Sequence, residues 1–329
     1  MFALLTLAAG AGIASDVDIA SDIEETGPAH CRLLLIESED AEPYASSRTA
    51  FVAELERLRC GRDAGPEITR HTIDNQEGLV RRIWRMEEVA SYDAVIVQGT
   101  IAAGALRDII GAGGDRPVFF ANVTDPVDLD LISAFDEPPP HNFTGVAYPV
   151  DIRERLRFVR RLFPDVESIG LVHTTMPQSR AYNRRLREAL SDSEFEDLVL
   201  HTREVPFVSG EQGMARSVAL AREEVAGLDS EVDVFLAPND QMGVDAGYLR
   251  MVAEVASSPL IGVDESNLAG SYGAVAALYP STEEAGVLLA NKIVRYLSGV
   301  PFNRILPVQL EGREAINPER AREFGLNER

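Results

Sequence analysis

Tyr92–Pro126 reads YDAVIVQGTIAAGALRDIIGAGGDRPVFFANVTDP, and Val232–Ser266 reads VDVFLAPNDQMGVDAGYLRMVAEVASSPLIGVDES; this pair of segments decides the fold. Each begins with an acidic residue and continues through an apolar strand, a polar turn and a helix. Each then reaches a second apolar strand that begins at proline and ends in an acidic turn. Asp233 corresponds to Asp93, about 140 residues earlier. One α/β unit has been used twice, which predicts two similar lobes facing each other across a cleft.

Strands and helices alternate along the rest of the chain as well. Arg32–Ser38 (RLLLIES) and Ser168–Thr174 (SIGLVHT) form a third matched pair at a similar offset. Alternation of this kind predicts parallel sheets that are covered by helices on both faces. The expected fold class is α/β, with two doubly wound parallel-sheet lobes.

The helix predicted at Thr282–Ser298 has no strand partner beside it in the sequence, so we expect it to return to the first lobe. The predicted first lobe contains residues 31–147 and 278–300, and the second contains residues 148–277 and 301–329. The chain then crosses between the lobes near Val146–Val150, Ala277–Pro280 and Val300–Arg304. Three parallel crossings predict a hinge that bends but hardly twists.

The 329 residues correspond to about two domains. A balance of 31 basic and 53 acidic residues gives a net charge of −22, and such a surface repels nucleic acids and anionic membranes. We therefore expect no nucleic-acid partner. An anionic ligand would have to bind through local N–H groups or a buried arginine, because the long-range field opposes it.

The chain begins with an apolar segment, Met1–Ala14, that is too short to span a bilayer. This segment resembles the hydrophobic and cleavage regions of a secretory signal, so residues 1–15 are predicted to be a signal peptide. The alternative is a frayed or buried N-terminal helix. Residues 16–30 are acidic and aperiodic and predict a flexible leader.

The sequence contains two cysteines, Cys31 at the start of the first strand and Cys60 at the end of the first helix. Because a helix runs back along its strand in a βα unit, both are expected at the same end of the first lobe. Export would favour a disulfide bond between them. Two separate free thiols in packed positions are the alternative.

The helix predicted at Ile152–Phe163, capped by Asp151, is rich in arginine. Its apolar residues share one stripe, which places the arginines on the other faces. We expect either a solvated surface or a docking patch for a partner, formed by Arg153, Arg155, Arg157, Arg160 and Arg161.

Polar side chains follow nearly every predicted strand, at the edge where open parallel sheets bind ligands. Free N–H groups at helix N-termini suit a carboxylate, and acidic side chains suit an ammonium group, so together they favour a zwitterion such as an amino acid. Each residue taken alone could equally be an N-cap or turn residue. The candidates are Ser38, Gln98, Thr100, Thr124, Asp125, Thr174, Asn239, Asp240, Asp264 and Glu265.

Three tyrosines, Tyr44, Tyr148 and Tyr279, lie near predicted cleft or hinge positions. They are expected either to stack on a ligand ring or to serve ordinary packing. His173 is the histidine nearest a predicted strand end, and we interpret it as a core or rim residue rather than a ligand or base.

Catalytic signatures are absent from the sequence. It contains no P-loop, no nucleophile elbow, no paired-histidine zinc motif and no glycine-rich dinucleotide turn after the first strand. We therefore expect no catalytic residues, no cofactor and no metal site.

Several motifs together resemble the substrate-binding proteins of ABC importers. The strand and turn at Arg116–Asp125 (RPVFFANVTD) and the crossover at Phe143–Val146 (FTGV) carry the resemblance. Further matches are Val232–Asp240 (VDVFLAPND), Ile261–Ser266 (IGVDES) and Ala274–Gly286 (AVAALYPSTEEAG).

The resemblance implies a type I periplasmic-binding-protein fold with a three-crossover hinge. It also implies capture of a small solute, in a branch associated with amino acids, and delivery to a membrane permease. Carried over by motif, it adds Ser179 to the ligand-contact candidates.

The chain departs from the family pattern at three places. Pro138-Pro139-Pro140-His141 stands where a Gly-Gly pair is usual, the turn after the first strand is unusually acidic, and Gln98-Gly99-Thr100 replaces an Ala-Thr-Pro-like turn. The last two departures fall on cleft turns and leave the ligand unnamed.

The sequence thus predicts a soluble, monomeric periplasmic protein that captures a small polar ligand, favouring an amino-acid-like one, and delivers it to an ABC permease. Two alternatives remain. One is a sensory module that reports ligand to a receptor. The other is a two-lobed α/β enzyme with Asp125 and Asp264 facing across the cleft.

Overall fold

The computed structural model describes residues 27–111, 116–209 and 212–326. The predicted signal peptide (residues 1–15) and residues 16–26 of the predicted leader lie outside the described residues. The described chain forms two lobes, each built on a six-stranded sheet with alternating strands and helices. The predicted α/β fold with two parallel-sheet lobes is confirmed.

The first sheet has the strand order β11-β5-β4-β3-β1-β2, and all of its strands pair in parallel. The second has the order β12-β10-β9-β8-β6-β7, in which β12 alone pairs antiparallel. The strands are β1 (Arg32–Glu37), β2 (Glu67–Thr72), β3 (Ala94–Gln98), β4 (Val118–Val123), β5 (Phe143–Ala147), β6 (Ser168–Thr174), β7 (Val199–Val205), β8 (Val234–Leu236), β9 (Leu260–Gly262), β10 (Ala276–Pro280), β11 (Val308–Gln309) and β12 (Gly312–Ile316).

Helices cover both faces of each sheet, so each lobe has two apolar cores, one on either side of its sheet. Within the described residues, no helix combines the length and the apolar character needed to cross a membrane. The helices are α1 (Tyr44–Arg57), α2 (Glu77–Met86), α3 (Thr100–Ile110), α4 (Ile152–Leu162), α5 (Pro177–Ala189), α6 (Gly213–Leu228), α7 (Ala246–Val255), α8 (Thr282–Leu297) and α9 (Pro318–Glu323).

Two helix starts form as the sequence predicts. The Asp151 carboxylate accepts hydrogen bonds from the backbone N–H groups of Arg153 and Glu154 at the start of α4. The Ser281 hydroxyl accepts one from the Glu284 N–H at the start of α8. Side-chain oxygens at these positions satisfy N–H groups that have no acceptor within the helix, which fixes where each helix begins.

The lobe boundaries near the C-terminus differ from the predicted ones. Residues 278–280 belong to β10 of the second sheet, and the chain crosses to α8 only after them. Residues 301–309 remain with the first lobe, since Val308 pairs with Val146 and the third crossing lies between β11 and β12. The physical reason is packing: Phe302 contacts the Phe119 ring, and Ile305 is buried in the first-lobe core.

The arginines of α4 do not form an open patch. Arg153, Arg157, Arg160 and Arg161 each pair with a carboxylate of the second lobe, namely Asp192, Glu194, Asp197 and Glu314 respectively. Arg155 is not on a surface at all, because it is only 1% exposed. Its guanidinium donates hydrogen bonds to the carbonyl oxygens of Gly262 (2.9 Å) and Leu278 (2.7 Å) and so ties α4 to β9 and β10.

Cys31 and Cys60 are joined by a disulfide bond, with their Cα atoms 5.4 Å apart. Both lie in the first-lobe core, at the end of the sheet away from the strands' carboxyl ends. The bond closes a loop of 29 residues that contains β1 and α1.

Replacing both cysteines by alanine should lower the free energy of unfolding by about 3 to 4 kcal/mol, because the unfolded chain regains the entropy of that loop. Denaturant unfolding measures the difference. A reductant should lower the free energy of unfolding of the wild-type protein by a similar amount and leave that of the variant unchanged. If the reductant lowers it equally in both proteins, the disulfide bond does not stabilise the fold.

Candidate ligand-binding site

The carboxyl ends of the parallel strands of the two lobes face each other across a small central cavity of about 40 Å³. Both lobes contribute to its lining. Six of the predicted candidates lie in that lining, namely Tyr44, Thr100, Thr124, Tyr148, Asn239 and Asp240.

The turn after β3 is shaped by Gly99, whose φ of 93° is open to glycine and costly for other residues. A Cβ atom there would lie 2.4 Å from the Ser38 hydroxyl oxygen and 2.8 Å from the Tyr44 hydroxyl oxygen. Ser38 itself is buried beneath the cavity, where its hydroxyl accepts a hydrogen bond from the Ala102 N–H in the first turn of α3. The glycine therefore lets Ser38 and Tyr44 pack against the start of α3.

Tyr44 and Tyr148 are buried phenols in the cavity wall. Loss of hydration raises the pKa of both hydroxyls well above the usual value, and nearby carboxylates, Glu39 for Tyr44 and Asp264 for Tyr148, raise it further. Both groups therefore stay neutral and can donate hydrogen bonds over the whole physiological range.

Asp240, a predicted ligand contact, forms its hydrogen bonds within its own lobe. Its carboxylate accepts hydrogen bonds from Thr174 (N–H 3.2 Å, hydroxyl 2.8 Å) and from the Ser179 hydroxyl. It also accepts from the N–H groups of Met242 (2.9 Å) and Gly243 (3.1 Å). Thr174 and Ser179 therefore act as hydrogen-bond donors to Asp240. The three residues together hold the turn after β8 against the start of α5.

Asp264, Glu265 and Tyr279 line a separate groove near the hinge rather than the central cavity. The Asp264 carboxylate caps a short helical turn by accepting from the N–H (2.9 Å) and hydroxyl (2.6 Å) of Ser266. Glu265 is exposed. These three predicted residues therefore lie in a groove that adjoins the cavity and shares Glu42, Pro43 and Val244 with it, and not in the cavity lining itself.

The acidic turn after β1 is neutralised locally. Glu37 is fully buried and pairs with Arg48 (2.6 Å) and Arg70, and Asp40 pairs with the same two arginines. The unusual run of carboxylates is thus matched by two guanidinium groups. Glu42, from the same run, remains in the cavity lining.

Polar contacts join the lobes at both sides of the cavity. On one side the Gln241 amide of the second lobe donates to the Glu39 carboxylate, which also accepts from Asn75 (3.3 Å). Partial burial raises the pKa of Glu39, and the two amide hydrogen bonds oppose that shift. On the other side Arg185 on α5 donates to both oxygens of the Asp125 carboxylate, at 2.8 and 3.3 Å.

The cavity residues that the sequence analysis missed as ligand contacts include Asn122 and Gln178. Asn122 follows a register shift in β4 and adopts a φ of 55°, a conformation that asparagine tolerates better than most residues. Gln178 follows Pro177, which is the first residue of α5. The signals were present: an asparagine at a strand end, and a proline marking the first helical position.

Gln98, a predicted candidate, lies directly beneath this pair. It is fully buried, and its side-chain oxygen accepts a hydrogen bond of 2.8 Å from the Asn122 amide. Gln98 therefore holds the Asn122 side chain in place from below.

A larger groove of about 570 Å³ flanks the hinge, where Phe135 and Tyr182 contribute to its lining. Its polar rim includes the Asp125–Arg185 ion pair, which already joins the lobes. Among the described residues, no cluster of three or more histidine, cysteine, aspartate or glutamate side chains is arranged to hold a metal ion.

A family model described as ABC transporter substrate binding protein matches residues 70–328. The chain belongs to this family. Its members are substrate-binding proteins rather than enzymes, which confirms both the resemblance and the prediction that the chain is not an enzyme.

A tyrosine-binding protein from Clostridioides difficile (strain R20291) is 24% identical to this binding protein over 219 residues, which cover 66% of this chain. The match spans 59% of the length of that relative.

Two solved structures share the fold. An ABC domain in complex with L-Trp from Streptococcus pneumonia has a TM-score of 0.73 at 19% identity, covering 91% of this chain and 96% of that one. A ligand-free, open substrate-binding protein with adhesive properties from Clostridium difficile has a TM-score of 0.68 at 17% identity, with coverages of 91% and 96%.

Arg185→Ala should shift this binding protein toward an open form, because it removes the ion pair to Asp125 across the cleft. Arg185 is 42% exposed at the side chain, so the pair is worth about 0.2–1 kcal/mol, or up to about a fivefold change in the closed-to-open ratio. Small-angle X-ray scattering reports the change as a larger radius of gyration.

Arg180→Ala is the matched control. Arg180 lies on the same helix and pairs with Glu204 of its own lobe (2.8 Å), so its loss removes the same charge without touching the cleft. Equal scattering changes in the two variants would show that the Asp125–Arg185 pair does not hold the lobes together.

Proposed function

We propose that this protein is an extracytoplasmic solute-binding protein that captures a small amino-acid-like zwitterion in the central cavity and delivers it to an ABC importer. One observation carries the proposal. The cavity combines unsatisfied hydrogen-bonding groups from both lobes with aromatic and apolar walls, at the edge where parallel sheets present ligand sites.

The helix N-termini supply a place for the ligand's carboxylate. α3 and α5 both begin at the cavity, without a capping side chain at the N-cap position. The first-turn N–H groups of Thr100, Ile101, Gln178 and Ser179 have no acceptor among the described residues. Such groups, together with the partial positive charge of the helix end, bind carboxylates in spite of a net charge of −22.

The walls suit an apolar or aromatic side chain. Tyr44, Tyr148, Val244, Val263 and Pro43 line the cavity. Aromatic rings stack or pack edge-to-face with a ligand ring, and each such contact is worth about 0.5–1.5 kcal/mol beyond simple burial. The wall chemistry matches a tyrosine or tryptophan side chain, and the lobes must part to admit one, because the cavity volume is about 40 Å³.

The relatives support the same class of ligand. One is named a tyrosine-binding protein, and one solved structure of the same fold is in complex with L-Trp. Other structures with this fold hold sugars or inositol, so fold similarity alone does not choose among solutes. The chemistry of this cavity is what favours the amino acid.

Export and transport complete the proposal. The disulfide bond between Cys31 and Cys60 suits an oxidising compartment, in agreement with a signal peptide at residues 1–15 and a periplasmic location. Contacts from both lobes to one ligand favour the closed form, whose shape a membrane permease would recognise. We expect the mature protein to act as a monomer, and the sensory alternative would use the same closure with a receptor partner.

A thermal-shift panel of the mature protein tests the ligand class. An L-amino acid with an aromatic side chain, present at about 100 times its dissociation constant, should add about 2.7 kcal/mol of stability. For lobes of this size that is a rise of a few degrees in the unfolding temperature. Mass spectrometry should recover the ligand unchanged.

Sugars and nucleosides form the control set for that panel. A shift with sugars and none with amino acids would contradict the proposed ligand class. If no compound raises the unfolding temperature, the result would contradict capture of small solutes altogether.

A further inference from the structure

Two buried amide side chains face the central cavity from opposite lobes, each with an oxygen that lacks a hydrogen-bond donor. Asn122, from β4 of the first lobe, is 4% exposed, and Gln178, from α5 of the second lobe, is 7% exposed. Among the described residues, Asn122 Oδ1 and Gln178 Oε1 have no hydrogen-bond partner. Leaving a buried acceptor unpaired destabilises the folded protein, so two of them in one cavity indicate a ligand that donates to both.

The surroundings of Asn122 fix its side chain. Its Nδ2 group donates to Gln98 Oε1 at 2.8 Å, which leaves Oδ1 as the free end of the amide. The left-handed backbone conformation and the register shift in β4 re-aim the side chain at this point. A strained backbone at a cavity wall is typical of a residue that is held there for binding.

Gln178 is fixed less strongly, by a 3.4 Å contact of its Nε2 group with the Met176 sulfur. Its position in the first turn of α5 places it directly opposite the first lobe across the cavity. Asn122 and Gln178 therefore line the same cavity from opposite lobes.

The charged groups in the described lining decide what kind of donor fits. They are Glu42 and Asp240, both acidic, and none of the described lining residues is basic. Two acidic side chains in the lining favour a cation over a neutral hydroxyl.

We propose that Asn122 and Gln178 hold the ligand's protonated amino group between the lobes, and that this group is required for binding. The inference rests on the proposed function and deepens it by naming the part of the ligand that the site selects. An ammonium group carries three donors and can serve both oxygens at once, with charge-assisted hydrogen bonds that are stronger than neutral ones. Since the two acceptors belong to different lobes, hydrogen bonds from one ammonium group to both of them stabilise the closed form.

Isothermal titration of the full mature protein with matched ligands tests the inference first. L-Tryptophan and L-tyrosine carry the ammonium group; N-acetyl-L-tryptophan and indole-3-propionate keep the ring and the carboxylate without it. The wild-type protein should bind at least one amino acid at least about tenfold more tightly than the compounds that lack the ammonium group.

Two variants then assign the effect to the named residues. Gln178→Leu should weaken binding of the amino acid by about tenfold or more and leave the weak binding of indole-3-propionate unchanged. Asn122→Asp keeps the shape and the backbone preference of the residue and adds a negative charge. This variant should bind the amino acid more tightly and bind indole-3-propionate even more weakly than the wild-type protein does.

Asn183 provides the matched control, because it lies on the same helix as Gln178 and also has a buried, unpaired amide oxygen, but it lines a groove on the second lobe away from the cavity. Asn183→Leu and Asn183→Asp should leave the affinity for the amino acid unchanged.

The outcomes separate the two proposals. Equal wild-type affinity for L-tryptophan and indole-3-propionate would overturn the ammonium inference while leaving solute capture intact. Binding of neither amino acid would overturn the proposed function and the inference together. If a variant fails to fold, the wild-type ligand series alone still decides.

Discussion

Parallel pairing of the strands is the constraint on which the rest of this molecule depends. In a parallel sheet every strand ends at the same edge, so the residues that follow β1, β3 and β4 gather at one edge of the first lobe. The residues that follow β6, β8 and β9 gather at one edge of the second lobe. Because the chain crosses between the lobes three times at their hinge-side edges, these two polar edges face each other. The cavity is a consequence of that arrangement, and the side chains only decide what it holds.

The polar residues at these edges divide into those that build the turns and those left free. Asp240, Asp264 and Asp125 are carboxylates at strand ends, but each is satisfied by protein donors: the first by its own lobe, the second as a cap and the third by Arg185 of the other lobe. Glu37 is likewise neutralised by Arg48 and Arg70. A net charge of −22 thus coexists with a cleft in which most carboxylates are already paired. The groups that remain available are amides, phenols and backbone N–H groups, which suit a small polar solute such as a zwitterion.

Much of this could be predicted from the sequence because it depends on local signals. Asp151 and Ser281 begin their helices through a hydrogen bond two or three residues away, and proline at the start of β4 and β9 marks the entry to each strand. The ligand-binding site was harder to predict from the sequence. Asn122 acquires its role from a backbone conformation and from Gln98 on the neighbouring strand, and Arg155 looks like its exposed neighbours until carbonyl oxygens of β9 and β10 surround it. These roles come from residues that are distant in the sequence, which no local pattern records.

The sequence by itself determined the repeated α/β unit, the two lobes and the edge at which a ligand would bind, since these follow from hydrophobic periodicity and from the direction of parallel strands. Tertiary structure alone decided which strand-end residues face the cavity and which satisfy one another. It also decided that residues 301–309 stay with the first lobe, where Ile305 and Phe302 find apolar partners. The physical reason is the same in both cases. A polar group forms hydrogen bonds with the donors or acceptors that the fold places beside it, and an apolar group packs into the core that the fold places beside it. Distance in space is set only when the whole chain has folded.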